Sequence, residues 1–187
     1  MIYFVFGASG AGKSAILSTL KSNNPNLEFH DFDDIGVPEN ADKVWRQQAT
    51  NDWVVHSKTK TQDTCICGGA VPAEVISTSA LATLADVRFC LLDCSDMERI
   101  RRLTIRNTYG PNQDIINWAS WLRIHANLPT WESRVITEDF WPGMNFSHWL
   151  SLKEWPSTLR PHIIDTTKLS IPEVVQKVTS WINEDCQ

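Results

Sequence analysis

The sequence predicts an α/β domain in which a buried sheet is covered by helices. The chain has 187 residues, of which 42% are hydrophobic, and this is enough to form one full core. Five short apolar segments typical of buried strands alternate with stretches of helical periodicity, and no internal repeat is present. The predicted strands cover residues 2–6, 27–30, 64–67, 87–92 and 162–164. Residues 1–187 are therefore expected to form a single domain.

The first predicted strand runs directly into a glycine-rich loop, and residues 2–14 have the sequence IYFVFGASGAGKS. Gly7, four variable residues and Gly12-Lys13-Ser14 form the pattern G-x-x-x-x-G-K-[ST] between this strand and a predicted helix. Glycines let successive backbone N–H groups point into one concavity, which together with a helix N-terminus attracts phosphate oxygens. Lys13 would reach the β- and γ-phosphates of a nucleotide, and the Ser14 hydroxyl would bind Mg²⁺.

A glycine-rich turn that binds no ligand is the alternative, but the flanking strand and helix favour a site for a nucleoside triphosphate. ATP and Mg²⁺ are the expected cofactors, and GTP is less favoured. The residues expected to contact the nucleotide here are Ala8, Ser9, Gly10, Ala11, Gly12, Lys13, Ser14 and Ala15.

Acidic residues follow the second predicted strand, in the sequence Asp31-Phe32-Asp33-Asp34. Asp31 and Asp33 share a face if the segment is extended, and they emerge where a parallel strand would end, close to the glycine-rich loop. Two carboxylates in this position would hold a hydrated Mg²⁺ and accept a proton from a substrate hydroxyl. A solvated turn is the alternative, since Asp is common in turns. The position behind a phosphate-binding loop favours the functional interpretation.

Other candidate residues lie on helices and at strand ends. Arg46, on a helix predicted over 41–60, would either clamp an anionic acceptor or lie on the surface. Gly68-Gly69 ends the third strand, which indicates close approach of a ligand or of another backbone segment. Arg102 and Arg106 are four residues apart and share a helix face, so they would either close over a triphosphate or form a solvated basic face.

The segment 108–160 is rich in tryptophan and proline and is predicted to be a lid or insertion, beginning with a loop that includes Thr108 and Tyr109. Its indole rings would either form a small core or stack on a ring-bearing acceptor. The tryptophans expected to line that acceptor pocket are Trp118, Trp121, Trp131, Trp141 and Trp149. Arg123 and Arg134 are its candidate cations for a phosphate or carboxylate on the acceptor.

Composition limits the possible partners. The net charge is −5, so nucleic acid is not favoured as a partner. No signal peptide is apparent and no apolar run is long enough to span a membrane, so membrane association is not expected. The five cysteines lack the paired spacing of a zinc site, which favours reduced thiols in a cytoplasmic protein. We expect a monomer or a homodimer acting on a small-molecule acceptor.

In their order along the chain, these motifs resemble those of the P-loop kinases. The resemblance is carried by GASGAGKS, the D-F-D turn, C-G-G after the third strand, R-L-x-x-R at Arg102 to Arg106, and the terminal I-I-D-T-T. It covers about residues 1–110 and 162–183 and is greatest for the nucleoside monophosphate, shikimate and gluconate kinase branch. The resemblance implies a three-layer P-loop NTPase fold, with a five-stranded parallel sheet of order 2-3-1-4-5, helices on both faces and a mobile lid.

The same resemblance implies roles for individual residues. Asp31 would be the acid that holds Mg²⁺ and its bound water, and Asp33 would contact the acceptor hydroxyl. Gly68 and Gly69 would lie beside the acceptor, whereas Arg102 and Arg106 would contact the nucleotide and act in catalysis together with Lys13. Thr166 and Thr167 would belong to the loop that borders the base. The tryptophan-rich segment after residue 108 departs from the family pattern, and so does the lack of an acceptor signature over 36–60.

Two other classes of function are weighed against a kinase. Asp33-Asp34-Ile35-Gly36 fits the D-x-x-G pattern of GTPases, but it comes only nineteen residues after Ser14, and no N-K-x-D sequence occurs. A nucleotide-binding ATPase or switch whose output is contact with a protein partner remains an alternative, because tryptophan is enriched at interface hot spots.

Overall fold

The computed structural model of the chain describes residues 1–81, 83–106 and 110–184. The fold is a five-stranded parallel sheet with strands in the order β2-β3-β1-β4-β5, which confirms the predicted fold class. The strands are β1 (Ile2–Phe6), β2 (Glu28–Asp31), β3 (Thr64–Gly68), β4 (Val87–Asp93) and β5 (His162–Asp165).

Eight α-helices are found among the described residues, and none of them is long and apolar enough to cross a membrane. They are α1 (Lys13–Asn23), α2 (Lys43–Lys58), α3 (Pro72–Ile76), α4 (Asp96–Arg106), α5 (Gln113–His125), α6 (Arg134–Thr137), α7 (Ser147–Leu150) and α8 (Ile171–Glu184). Two short 3-10 turns, Phe32–Ile35 and Leu84–Asp86, follow β2 and precede β4.

The central strand β1 separates two apolar cores, because successive side chains of a strand point to opposite faces. Phe4 belongs to a core that α2, α3 and the tryptophan-rich segment complete, whereas Tyr3 belongs to a core completed by α1 and α8. All five residues of β1 are buried, as expected for a central parallel strand with helices on both faces. The sheet is therefore the middle layer of three.

The strand register brings several chemically important positions to one edge of the sheet. Asp31 is opposite Cys67, and Phe6, the last residue before the glycine-rich loop, is opposite Gly68. Asp93 is opposite Asp165 at the end of the adjacent strand pair. Because all strands are parallel, their carboxyl ends meet at the same edge, and this is where ligands bind in open α/β sheets.

The segment predicted to be a lid, 108–160, is packed into the larger core over the part that the structure describes. Its first two residues, Thr108 and Tyr109, lie outside the described residues. Trp121, Trp149 and Trp155 are buried in the same cluster as Phe4. The indole N–H groups of Trp149 and Trp155 donate hydrogen bonds of 3.0 and 2.7 Å to the carbonyls of Pro129 and His125. These tryptophans are thus core residues whose polar atoms are satisfied.

Candidate functional site

The glycine-rich loop curves tightly between β1 and α1, and two of its glycines are required by geometry. A Cβ atom on Gly7 would lie 2.2 Å from the carbonyl oxygen of Leu92, so a side chain cannot fit there. Gly12 has a φ of 106°, a left-handed conformation that other residues rarely adopt, and it directly precedes the first turn of α1. The loop therefore reaches the N-terminus of α1 in the curved form that phosphate binding needs.

Lys13 is held inside this loop. Its Nζ atom donates hydrogen bonds of 2.6 and 3.3 Å to the carbonyls of Gly7 and Ala8. Burial, followed by the charge of Arg99, lowers the pKa of Lys13 to about 8. No ion pair involving Lys13 is found within the described residues. A partly buried ammonium group with only backbone acceptors fits a site for an anion such as a phosphate group.

The acidic turn after β2 is fixed by its own hydrogen bonds. An Asp31 carboxylate oxygen accepts a bond of 3.1 Å from the Asp33 amide, and Asp34 accepts one of 3.0 Å from the Asp31 amide. This capping box holds Asp31 and Asp33 at the end of β2. Burial, and then the charge of Asp31, raises the pKa of Asp33. A carboxylate with a raised pKa is a better proton acceptor than an ordinary aspartate.

Gly68 supports this turn from the adjacent strand. A Cβ atom on Gly68 would lie 2.1 Å from the Cβ of Phe32, the residue between the two aspartates. Gly69 is less constrained, because its nearest contacts are Phe32 ring atoms at 3.5 and 3.7 Å. The sequence predicts close approach of a ligand or of another backbone segment to the glycine pair. At Gly68 the structure shows that this neighbour is the acidic turn.

Three arginines of α4 face the glycine-rich loop, since positions 99, 102 and 106 share one helix face. Arg99 donates bonds of 2.6 Å to the Ser9 carbonyl and 2.7 Å to Asp93. Arg102 donates to the Gly10 carbonyl at 3.2 Å and to the Thr166 carbonyl at 2.6 Å. Arg106 lines the cleft beside the loop. The spacing in the sequence identifies Arg102 and Arg106 as residues of one helix face. Arg99 lies on the same face but is not among the residues predicted from the sequence.

Most of the predicted site residues line one cleft of about 620 Å³. Trp118 and Leu103 form part of its wall. The predicted residues among its lining are Ala8, Ser9, Gly10, Gly12, Lys13, Ser14, Ala15, Asp31, Asp33, Gly68, Gly69, Arg102 and Arg106.

A second cleft, of about 540 Å³, adjoins the first and shares Gly12, Ala15 and Arg102 with it. Ala11 and residues 166–171 also line it. Thr166 is buried, and its hydroxyl donates to the Ala11 carbonyl at 3.1 Å, whereas Thr167 accepts a bond of 2.8 Å from the Ser95 amide. The two clefts form a continuous path along the glycine-rich loop.

Arg46 and Arg123 differ from the sequence-based expectation, because neither lines the cleft. Arg46 donates bonds of 2.9 and 2.7 Å to the two carboxylate oxygens of the fully buried Glu74. Arg123 donates a bond of 2.6 Å to Asp93 and lies 3.2 Å from Asp96. Both guanidinium groups are paired with carboxylates of the protein outside the cleft lining.

The tryptophans also divide between cleft and core. Of the five expected in the acceptor pocket, Trp118 lines the cleft, and Trp121 and Trp149 are buried in the core. Trp131 is 45% exposed, and Trp141 is partly buried against the core. Neither lines the cleft. Arg134, the other candidate cation, is 72% exposed and pairs with Glu132. The structure thus brings one indole, and no arginine of the segment, to the site.

No protein-family model matches the chain, and no curated protein matches it in sequence. Solved structures do match over nearly its full length, at low sequence identity. A sugar kinase from Janibacter sp. HTCC2649 matches with a TM-score of 0.63 and 15% identity, covering 97% of this chain and 94% of its own.

Two other kinases also match over most of their length. Shikimate kinase from Aquifex aeolicus has a TM-score of 0.54 and 14% identity, with coverage of 100% of this chain and 98% of its own. A gluconokinase from Sinorhizobium meliloti has a TM-score of 0.57 and 13% identity, with coverage of 94% of this chain and 87% of its own. The chain therefore has the fold of the P-loop kinases.

Proposed function

We propose that this protein transfers the γ-phosphoryl group of ATP to a hydroxyl group of a small molecule, with Mg²⁺ as the required metal. The observation that supports this most is that the partly buried ammonium of Lys13 and the carboxylate of Asp33 line the same cleft, beside the glycine-rich loop. The first suits a phosphate group and the second suits a hydroxyl proton.

The nucleotide would extend across both clefts. Its phosphates would lie on the backbone of residues 7–14, with Lys13, Arg102 and Arg106 as the neighbouring cations. The rest of the nucleotide would lie in the second cleft, between α4 and residues 166–171. Arg102 lines both clefts, so it would contact the nucleotide near the junction of its phosphates and its nucleoside.

Ser14 and Asp31 are the candidate Mg²⁺ ligands. Hydroxyl and carboxylate oxygens are the ligands that Mg²⁺ prefers, and both residues line the cleft. A bound Mg²⁺ would neutralise part of the phosphate charge during transfer. Asp31 is held in place by the capping box, so its carboxylate needs little reorganisation to act.

Asp33 would orient the acceptor hydroxyl and take its proton, because its raised pKa favours proton transfer. Trp118 would supply a flat apolar wall for the acceptor. Such a wall suits the apolar face of a sugar-like or cyclic polyol, a nucleoside or an aromatic ring. The named substrates of the structurally similar kinases include a sugar and shikimate. We therefore propose a polyhydroxylated or ring-bearing acceptor.

The cysteines support the proposal of a reducing, cytoplasmic environment. The free cysteines of the described residues are Cys65, Cys67, Cys90 and Cys94, and all four are buried. Burial raises the pKa of the Cys65 and Cys90 thiols, which makes them unreactive and fits packing rather than catalysis.

The proposed reaction is tested with Lys13→Ala and Asp33→Asn in an ADP-release assay. We expect Lys13→Ala to lower turnover by on the order of 10³-fold because the fixed charge at the phosphates is lost. Asp33→Asn should lower it by about 10²–10⁴-fold while ATP still binds. Lys21→Ala, on the exposed face of the same helix, is the matched control and should leave turnover unchanged. Full turnover in Lys13→Ala would contradict the proposal.

A further inference from the structure

A second cluster of potential ligands lies on the edge strand β2, before the strand reaches the cleft. Glu28 and His30 are two residues apart on β2, so their side chains lie on the same face of the strand. His56 lies in the last turn of α2 and contacts His30 edge to face, with ring centroids 5.2 Å apart. The cluster therefore joins the outermost strand of the sheet to the end of a helix.

The potential ligand atoms are spaced close to what a metal ion requires. His30 Nε2 and His56 Nε2 lie 3.1 and 3.9 Å from the same oxygen of Glu28. One potential ligand atom from each of the three residues lies within 4.8 Å of those of the other two. Tetrahedral coordination with bonds of about 2.0–2.1 Å places ligand atoms about 3.3 Å apart. The two measured spacings bracket that value, so small side-chain movements would complete the site.

The two imidazole nitrogens lack other partners. His30 Nε2 and His56 Nε2 are buried atoms that make no hydrogen bond among the described residues. The only polar atom recorded near His30 Nε2 in the described part of the chain is the Glu28 carboxylate oxygen at 3.1 Å. Unsatisfied buried nitrogen atoms are unfavourable unless a ligand or water engages them. Both are aimed at the space that the Glu28 carboxylate borders.

Aromatic packing holds the two rings in position. Trp53 lies 4.8 Å from the His30 ring and 5.4 Å from the His56 ring, measured between centroids. The indole of Trp53 is itself fixed, because its N–H donates a bond of 2.9 Å to the Phe32 carbonyl. Ligands that are already fixed lose little conformational entropy when a metal binds.

We propose that Glu28, His30 and His56 bind a divalent transition-metal ion of the zinc class. Two imidazole nitrogens and one carboxylate oxygen form a set that suits Zn²⁺, whereas Mg²⁺ prefers oxygen ligands alone. The fourth position is open to water. The metal ties β2 to α2 one residue before Asp31, and it is separate from the Mg²⁺ proposed at Ser14 and Asp31.

Lys60 occupies part of this site in the absence of metal. Its Nζ atom donates a bond of 3.1 Å to the same Glu28 oxygen that the histidines approach. The ammonium group is on a flexible side chain that is 33% exposed, so a divalent ion can displace it into solvent. Replacing Lys60 with Met removes this competitor, and the metal should then bind more tightly.

The experiment titrates the purified, tag-free protein with Zn²⁺ against a chromophoric chelator, and records Co²⁺ absorption in parallel. An excess of Mg²⁺ blocks oxygen-only sites, and Cys186→Ser in every variant removes a thiol that lies outside the described residues. We expect one Zn²⁺ per chain and visible Co²⁺ bands. His56→Gln should weaken binding by on the order of 100-fold, because one of three protein ligands is lost. His148→Gln changes an exposed histidine of α7 and serves as the control.

Two further variants complete the test. Glu28→Gln keeps the size of the side chain and should weaken binding as His56→Gln does, whereas Lys60→Met should strengthen it. Zn²⁺ should raise the melting temperature of the parent chain but not that of His56→Gln. No Zn²⁺ binding, or binding unchanged in both His56→Gln and Glu28→Gln, would overturn the proposal and leave the cluster as a network of charges. Because every readout is metal binding or stability, the outcome does not depend on the proposed kinase activity.

Discussion

Arg99 donates a hydrogen bond of 2.6 Å from Nη1 to the carbonyl oxygen of Ser9, in the middle of the glycine-rich loop. The Arg99 side chain is fully buried, and its other terminal nitrogen donates to Asp93 at 2.7 Å. Asp93 is the last residue of β4, so one guanidinium group connects the end of the central sheet to the loop. We infer that Arg99 holds the loop in its curved form and acts through it as a positioning residue.

Arg99→Met should destabilise the protein and weaken nucleotide binding. Removing one partner of a buried ion pair costs about 3–5 kcal/mol, and the lower figure is expected because Asp93 retains Arg123. Urea unfolding measures the free energy of unfolding, and equilibrium titration measures ATP affinity. Arg101→Met, on the same helix but 60% exposed, should change the free energy of unfolding by at most about 1 kcal/mol. Equal losses in the free energy of unfolding for the two variants, or an unchanged ATP affinity in Arg99→Met, would contradict the positioning role.

Arg46 is expected to be needed for folding and not for contact with the acceptor. Its guanidinium binds both oxygens of the buried Glu74 and lies over the ring of Trp118, 5.0 Å from the centroid. Arg46→Met should lower the free energy of unfolding by about 3–5 kcal/mol, because Glu74 is left as an unpaired buried charge. Adding Glu74→Met should restore much of that loss, since an apolar pair of similar size replaces the ions.

The exposed pair Arg134–Glu132 is the control for this cycle. Its arginine is 72% exposed, so Arg134→Met should cost no more than about 1 kcal/mol. If Arg46→Met left stability unchanged but raised the KM for the acceptor, Arg46 would be a substrate contact after all.

His125 should make the stability of the protein depend on pH. Its ring is fully buried between aromatic side chains and is stacked on Trp121, with the ring centroids 4.6 Å apart. Burial lowers the pKa of His125 to about 3, and the Pro129 carbonyl opposes this with a smaller effect. The folded protein therefore keeps this imidazole neutral at pH 5.

Between pH 6.5 and 3 the unfolded chain binds a proton at His125 that the folded chain does not, so stability falls as pH is lowered. From pH 7 to pH 5 this amounts to about 2 kcal/mol. His125→Phe keeps a ring in the same place and should remove that part of the pH dependence in urea unfolding. His148→Gln, which changes an exposed histidine, should keep the pH dependence of the parent chain. An unchanged pH profile in His125→Phe would show that another group is responsible.

Trp118→Ala should raise the KM for a verified acceptor while leaving the affinity for ATP nearly unchanged. Trp118 lines the same cleft as Asp33, and stacking on an aromatic side chain is worth about 1–3 kcal/mol for a base, or roughly 10–100-fold in KM. Trp131→Ala is the matched control, because Trp131 belongs to the same segment but does not line the cleft. Steady-state kinetics with varied acceptor measures both variants.

The parts of the molecule that depend on local patterns could be predicted from the sequence. Short apolar segments alternating with helical periodicity predict strands alternating with helices, because each pattern reflects the period of the backbone that carries it. The phosphate loop and the Asp31–Asp33 turn follow strands, and parallel strands end at one edge. The parallel topology alone is therefore enough to predict that these two motifs lie close together.

Charge pairing between distant segments could not be read in this way. The sequence predicts Arg46 as a clamp for an anionic acceptor or a surface residue, and Arg123 as a spare cation. Glu74 and Asp93, on other elements, neutralise these two arginines. The position of the tryptophans of 108–160 could not be predicted either, because a tryptophan-rich segment is consistent with both a packed core and a ligand pocket. Trp118 differs from Trp121 by one helical turn only, and tertiary packing decides which of them lines the cleft.

The most direct test of the proposed function is the acceptor dependence of ADP release from Mg-ATP. Sugars, cyclic polyols, nucleosides and aromatic alcohols would be screened, and products would be identified by mass. We predict slow ADP release alone, large stimulation by at least one of these hydroxyl compounds, and a phosphorylated product that Asp33→Asn does not form. ADP release that no acceptor stimulates, but that a protein partner alters, would contradict the kinase assignment and support a nucleotide-dependent switch instead.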